Sequence, residues 1–184
     1  MGIVLLIIVV LIVAVLAFAA ASYNGLVRLR NRIDQAWAQI DVQLRRRHDL
    51  IPNLVETVKG YAGHERETLE AVINARNRAM AATGPQASAE GENLITQALG
   101  RLFALSEAYP DLKANENFRD LQEQLTATED KIAYSRQFYN DSVFRYNTKI
   151  QSFPGVLYAG ALGFRAREFF EADDDARGPV QVKF

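Results

Sequence analysis

The chain has 184 residues, 21 basic against 22 acidic side chains, and no cysteine, a length that suits one modest domain plus an anchor. Without cysteine there can be no disulfide, thiolate zinc site or cysteine nucleophile, and the near-neutral charge provides no overall field to draw nucleic acid. Five prolines and eleven glycines fall mostly around Gly84-Pro85, at Pro110 and from Pro154 onward, so long helices are expected between those points.

Residues 1–24 read as a transmembrane anchor. From Ile3 to Ala21 the run is IVLLIIVVLIVAVLAFAAA, and the first charged side chain is Arg28. At 1.5 Å per residue these nineteen positions span roughly 29 Å, which matches a hydrocarbon core of about 30 Å. The alanines at 17, 19, 20 and 21 resemble a secretory cleavage site. A basic leader is missing, however, and the apolar run is too long for a signal peptide, which favours an uncleaved span. Gly2 does not open a myristoylation motif, because Leu6 stands where Ser or Thr is needed.

Orientation follows from arginine bias. No Lys or Arg precedes the span, whereas Arg28, Arg30 and Arg32 follow it directly and Arg45, Arg46 and Arg47 come a few turns later. The expected location is therefore the inner (cytoplasmic) membrane, single-pass, with the N-terminus outside and the remainder cytoplasmic. Arg28, Arg30 and Arg32 are candidates to face anionic headgroups, each contributing about 1 kcal/mol near the surface. Arg45-Arg46-Arg47 is expected to pair with carboxylates on a neighbouring helix.

Residues 25–152 read as a helical bundle, with helices near 25–61, 64–83, 90–109 and 116–152. Leu26, Ile33, Trp37, Ile40, Leu44, Ile51, Leu54, Val58 and Tyr61 recur in three- and four-residue steps, interrupted in the same register by Arg30 and Arg47. This is a heptad seam. Pro52 lacks a backbone donor and crowds the preceding turn, so a kink is expected between His48 and Pro52. The second helix should bury Leu69, Val72, Ile73, Ala79 and Met80, and the third Leu94, Ile95, Leu99, Leu102, Phe103 and Leu105, with Pro110 ending it. The fourth carries Phe118, Leu121, Leu125, Ile132, Tyr139 and Tyr146, beside small residues Thr128, Ser135 and Ser142 that let a neighbouring helix approach closely. Two long helices of roughly 54 Å flanking two shorter ones fit an all-α, antiparallel up-down bundle. Span and first bundle helix could form one rod of roughly 88 Å.

The stretch NRIDQAWAQIDVQLRRRHDLIPNLVETVKGYAGHERETLEAVINA, Asn31 to Ala75, and the stretch Tyr109 to Glu171, with YPDLKANENFRDLQEQLTATEDKIAYSRQFYNDSVFRYNTKIQSFPG at its core, resemble the LemA family. QLRRRHDLIPNLV and YNTKIQSFPG are long and specific strings. The resemblance implies an antiparallel helical bundle on a single N-terminal span, with the amino terminus outside and no enzymatic activity. It also hints at a membrane protease or another membrane protein as a partner, and it supplies no catalytic residue to carry over.

No cofactor is expected. His48-Asp49 and His64-Glu65-Arg66-Glu67 are the only histidine-centred clusters, and neither has the spacing that sets two metal ligands on one helical face. Residues 153–184 read as an apolar and aromatic hook followed by a short acidic tail, and eleven of the eighteen aromatic residues lie from Tyr134 onward. Two readings stay open for the hook. Folded back within the chain, it would bury Phe153, Val156, Leu157, Tyr158 and Leu162. As an oligomer or membrane contact built on Phe153, Val156, Leu157 and Tyr158, it would use Phe164, Phe169 and Phe170 as anchors and turn Arg165 and Arg167 toward headgroups. The expected partners are the lipid bilayer and further copies of the chain, with no nucleic acid. The expected function is a non-enzymatic, membrane-anchored scaffold that self-assembles and organises or shapes the membrane. The alternative is an adaptor or regulatory module for a membrane protease or signalling partner.

Overall fold

A computed structural model describes residues 1–171; the acidic run 173–175 and the segment 180–184 of the expected tail lie outside the described residues. Five α-helices follow in order: α1 (Gly2–Ala62), α2 (Arg66–Ala81), α3 (Pro85–Ser106), α4 (Pro110–Ala114) and α5 (Glu116–Gln151). A single 3-10 turn, Gly155–Leu157, comes after them, and no strand occurs among the described residues. α1 contains Pro52, which is exposed, and continues beyond it to Ala62. The segment 22–25, with Gly25, does not interrupt it either, since one glycine costs only about 1 kcal/mol in a helix.

The chain divides into two compact units. One holds residues 39–137 and 168–171, and its core is a helical bundle. Ile51, Leu54, Val55, Val58 and Ala62 of α1 meet Leu69, Val72, Ala75 and Ala79 of α2, Ile95, Leu99 and Leu102 of α3, Leu112 of α4, and Phe118 and Leu125 of α5. α1 and α5 run antiparallel here, because Arg47 meets Glu129 while Tyr61, further along α1, meets Asn115 at the start of α5. Gly91 makes the tightest approach between α2 and α3. A Cβ built there would lie 2.7 Å from the Ala79 Cα, so only glycine fits that helix crossing.

Several elements differ in detail from the sequence-based expectation. α3 begins at Pro85 rather than near residue 90. Gly84 takes φ 90°, open to glycine, and Pro85 starts the helix with its φ already helical. Pro110 does not simply end the third helix; α3 stops at Ser106 and Pro110 opens the short α4. On α2, Ile73 and Met80 are exposed while Ala75 is buried. The buried stripe steps 69, 72, 75, 79, and Ile73 and Met80 each sit one residue, about 100° of helix rotation, beyond it. Leu94 of α3 is likewise exposed.

The other unit holds residues 1–38 and 138–167. Residues 3–21 of α1 are exposed throughout, and the first buried side chain is Leu26, followed by Ile33 and Ala36. Tyr139, Val143, Tyr146 and Ile150 are the buried residues that this part of α5 brings to the same unit. The two helices are antiparallel here also. Trp37 packs on Tyr139 with ring centroids 5.7 Å apart, and Gly25 lies beside the Lys149 side chain. Ser142, one of the seven-spaced small residues, is buried and satisfies its hydroxyl on the Phe138 carbonyl one turn back.

Candidate membrane-facing site and buried polar core

The end of α5 positions the hook. Beyond Gln151 the chain folds so closely over the helix terminus that a Cβ on Gly155 would stand 2.1 Å from the Lys149 carbonyl oxygen. Residue 155 therefore has to be glycine. The turn Gly155–Leu157 follows, and the Phe164 amide then donates to the Ala159 carbonyl at 2.9 Å, closing the return. Asn147 fastens the returning chain. Its Nδ2 donates to the Arg167 carbonyl and its Oδ1 accepts the Arg167 amide, both at 2.9 Å. The Arg167 guanidinium reaches Asp34 on α1 at 3.0 Å.

This arrangement sorts the aromatic and aliphatic residues of the hook. Phe164 is buried, its ring meeting the Tyr23 ring edge-on at 5.5 Å with the Arg30 guanidinium 5.7 Å from its centroid. Ala159 and Phe170 are also buried, and Tyr158 and Phe169 are half-buried. Phe153, Val156, Leu157 and Leu162 are exposed at 80, 57, 72 and 49 %. Four of the five residues that a fold-back was expected to hide thus face outward, Tyr158 being half-buried, while Phe164 and Phe170, expected as outward anchors, lie inside. Of the three arginines after the span, Arg28 is exposed, Arg30 is half-buried beneath the hook, and Arg32 stands 4.9 Å over the Phe138 ring. Tyr146 is buried next to them. Burial pushes its phenol pKa up, against the opposing pull of Arg167 and Arg30.

The second polar feature lies in the bundle unit. Arg47 is 2 % exposed; its Nη1 donates to Glu92 at 2.9 Å and its Nη2 to Thr96 at 2.9 Å and to Glu129. The other Glu92 oxygen lies within hydrogen-bond distance of His48 Nε2, at 2.6 Å. Arg76 donates to the His48 carbonyl at 2.7 Å. Within the arginine triplet, only Arg47 pairs with neighbouring helices as expected; Arg45 pairs with Asp41 on its own helix and Arg46 is exposed. Glu92 went unnoticed in the sequence, yet a signal existed. Arg47 occupies a seam position, and a buried guanidinium needs a carboxylate on a facing helix. A cleft of about 290 Å³ opens beside Arg47, Phe103 and Leu125, but that guanidinium is already committed to Glu92, Thr96 and Glu129. Among the described residues no group of three His, Asp or Glu side chains converges to hold a metal.

The opposite end of the bundle unit carries a smaller cluster. Tyr109 donates to Glu65 Oε1 at 3.0 Å and accepts from His64 Nε2 at 2.7 Å. Partial burial, that hydrogen bond and the Glu65 charge together raise its pKa.

An all-α bundle whose first helix begins as an exposed apolar stretch, long enough to cross a membrane, defines a class: helical domains carried on an N-terminal membrane helix. The chain belongs to the LemA family, whose sequence profile matches residues 36–184. It is 26 % identical to Magnetosome protein MamQ 2 of Paramagnetospirillum magneticum, over 94 % of this chain and 74 % of that protein. It is also 26 % identical to Magnetosome protein MamQ of Magnetospirillum gryphiswaldense, over 94 % and 73 %. Protein LemA of Metamycoplasma hominis is 27 % identical, over 86 % of this chain and 73 % of its own length.

Proposed function

We propose that this LemA-family protein is a non-enzymatic scaffold that self-assembles at the inner membrane, holding its helical units on the cytoplasmic side and organising or shaping the bilayer around them. The observation that carries this reading is the continuity of α1, which runs from an exposed apolar stretch into buried seam positions beginning at Leu26 without leaving helical geometry. A tether with a loose linker would let the domain tumble freely. A shared helix couples the packing of neighbouring domains to the tilt and spacing of their spans. Orientation rests on the same helix, with Arg28, Arg30 and Arg32 directly after the apolar run.

Mass photometry of the detergent-extracted, full-length protein tests assembly. Defined oligomers are expected, and a strictly monomeric species at every concentration sinks the scaffold. Protease added to intact spheroplasts tests orientation; residues beyond the span should survive until the membrane is opened.

A further inference from the structure

We infer that the hook is a second membrane attachment, an interfacial element whose exposed Phe153, Val156, Leu157 and Leu162 enter the headgroup and acyl boundary of an anionic bilayer beside the exit of the α1 span. The inference rests on reading residues 3–21 as that span.

Register supplies the first argument. In this unit α1 and α5 pair antiparallel, with Trp37 against Tyr139 and Gly25 against Lys149. Both helices advance by the same rise, so the hook begins, four residues past Lys149, level with Ala21, where the apolar run ends. The contact of Phe164 with Tyr23 holds the returning chain at the same level. The hook is therefore carried to the place along α1 where a bilayer surface must lie if residues 3–21 cross it.

Surface chemistry supplies the second. A soluble domain seldom leaves a Phe 80 % exposed and a Leu 72 % exposed four residues apart in one short segment, since exposed apolar groups close together mark contact surfaces. Basic side chains predominate around that apolar tip. Residues 1–33 and 142–167 contain seven Arg and Lys and no Asp or Glu. Of the seven, Arg28, Arg32, Arg145, Lys149, Arg165 and Arg167 are exposed, Arg32 over the Phe138 ring and Arg167 paired with Asp34, and Arg30 is half-buried against Phe164. Apolar side chains at the tip with basic side chains behind them suit a surface of anionic lipid, where the apolar groups leave water and the cations meet phosphate. An acidic protein surface would match the cations but leave the tip in water.

The third argument is stiffness. Gly155 packs against the Lys149 carbonyl, and Asn147 grips the Arg167 backbone from both sides. The exposed residues thus sit on a braced turn, which presents them without the ordering cost that a floppy tail would meet on binding.

The absence of cysteine makes single-site labelling unambiguous. The full-length protein carrying Phe153→Cys or Leu157→Cys, labelled with the environment-sensitive fluorophore NBD, is reconstituted in phosphatidylcholine vesicles with and without phosphatidylglycerol. Tyr134→Cys, exposed on α5, and Leu11→Cys, within the span, are labelled in parallel. At 153 and 157 we expect blue-shifted emission, strong quenching by lipids brominated near the headgroup, weaker quenching by lipids brominated near the chain end, and a larger effect with phosphatidylglycerol. Tyr134→Cys should emit as in water. Water-like emission at 153 and 157 while Leu11→Cys is quenched overturns the inference and leaves the span standing. A blue shift without lipid quenching also overturns it, since a second copy then covers the hook. Should the label at Leu11→Cys escape quenching as well, the reading of residues 3–21 as a span falls, and the inference with it.

Discussion

Arg47 and Glu92, forty-five residues apart in sequence, meet at 2.9 Å with side chains only 2 and 7 % exposed. Each is held by further partners, Arg47 by Thr96 and Glu129 and Glu92 by His48. Removing one member of a buried pair leaves the other charge unmatched, at a cost of about 3–5 kcal/mol. Glu92→Ala should therefore lower the denaturation midpoint sharply. Replacing Arg47 and Glu92 together with Met and Leu should restore most of the loss, because replacing a whole buried pair by apolar groups is often neutral. Urea unfolding of Arg47→Met, Glu92→Ala and the double variant against the parent protein measures both effects. A loss in the double variant equal to the sum of the two single losses would mean that the pair is not coupled.

Two glycines of α3 should respond in opposite directions to the same change. Gly91→Ala drives a methyl to within 2.7 Å of the Ala79 Cα, and overpacking of this kind costs about 1–3 kcal/mol, more than the helix gains by losing a glycine. Gly100 has nothing within 4 Å of a built Cβ, so Gly100→Ala should stabilise by about 0.5–1 kcal/mol. Thermal melts of both variants decide the point, and a rise in both would show that the α2–α3 approach has room to spare.

Gly155→Ala should release the hook. The added methyl would meet a helix carbonyl at 2.1 Å, and backbone cannot swing aside as a flexible side chain can. Hydrogen exchange at the amides of Leu162 and Phe164, which donate to Tyr158 and Ala159, should accelerate. Gly160→Ala, with open space at the same distance, serves as the matched control and should leave that protection intact.

Alkaline stability should depend on Tyr109. Its pKa lies above the usual 10.0 because of partial burial, its hydrogen bond to Glu65 and that carboxylate's charge. The folded state thus holds the phenolic proton more tightly than the unfolded chain does. This contribution is fully present below about pH 10 and is lost as pH rises through the folded value. Stability should decline above that point, and Tyr109→Phe should flatten part of the decline. Tyr146, also raised by burial, supplies a share that the substitution leaves in place. Denaturant midpoints measured across the alkaline range check the slope.

Much of this architecture was legible along the chain because its causes are local. The length and apolarity of residues 3–21, the three-and-four spacing from Leu26 to Val58, and the breaks at Gly84-Pro85 and Pro110 depend on neighbours within a few turns, and those patterns announce helices and an anchor. The spacing also flagged Arg47 as a charge in a seam. It could not supply the partner, since Glu92, Thr96 and Glu129 reach it only when three helices close on one another. Likewise, composition marked the hook as aromatic, but which rings turn inward was decided by Gly155 folding onto the Lys149 carbonyl and by Asn147 holding Arg167. Those contacts bury Phe164 and leave Phe153 and Leu157 bare. Periodicity states that a residue lies on a face; only packing between segments distant in sequence determines what that face meets.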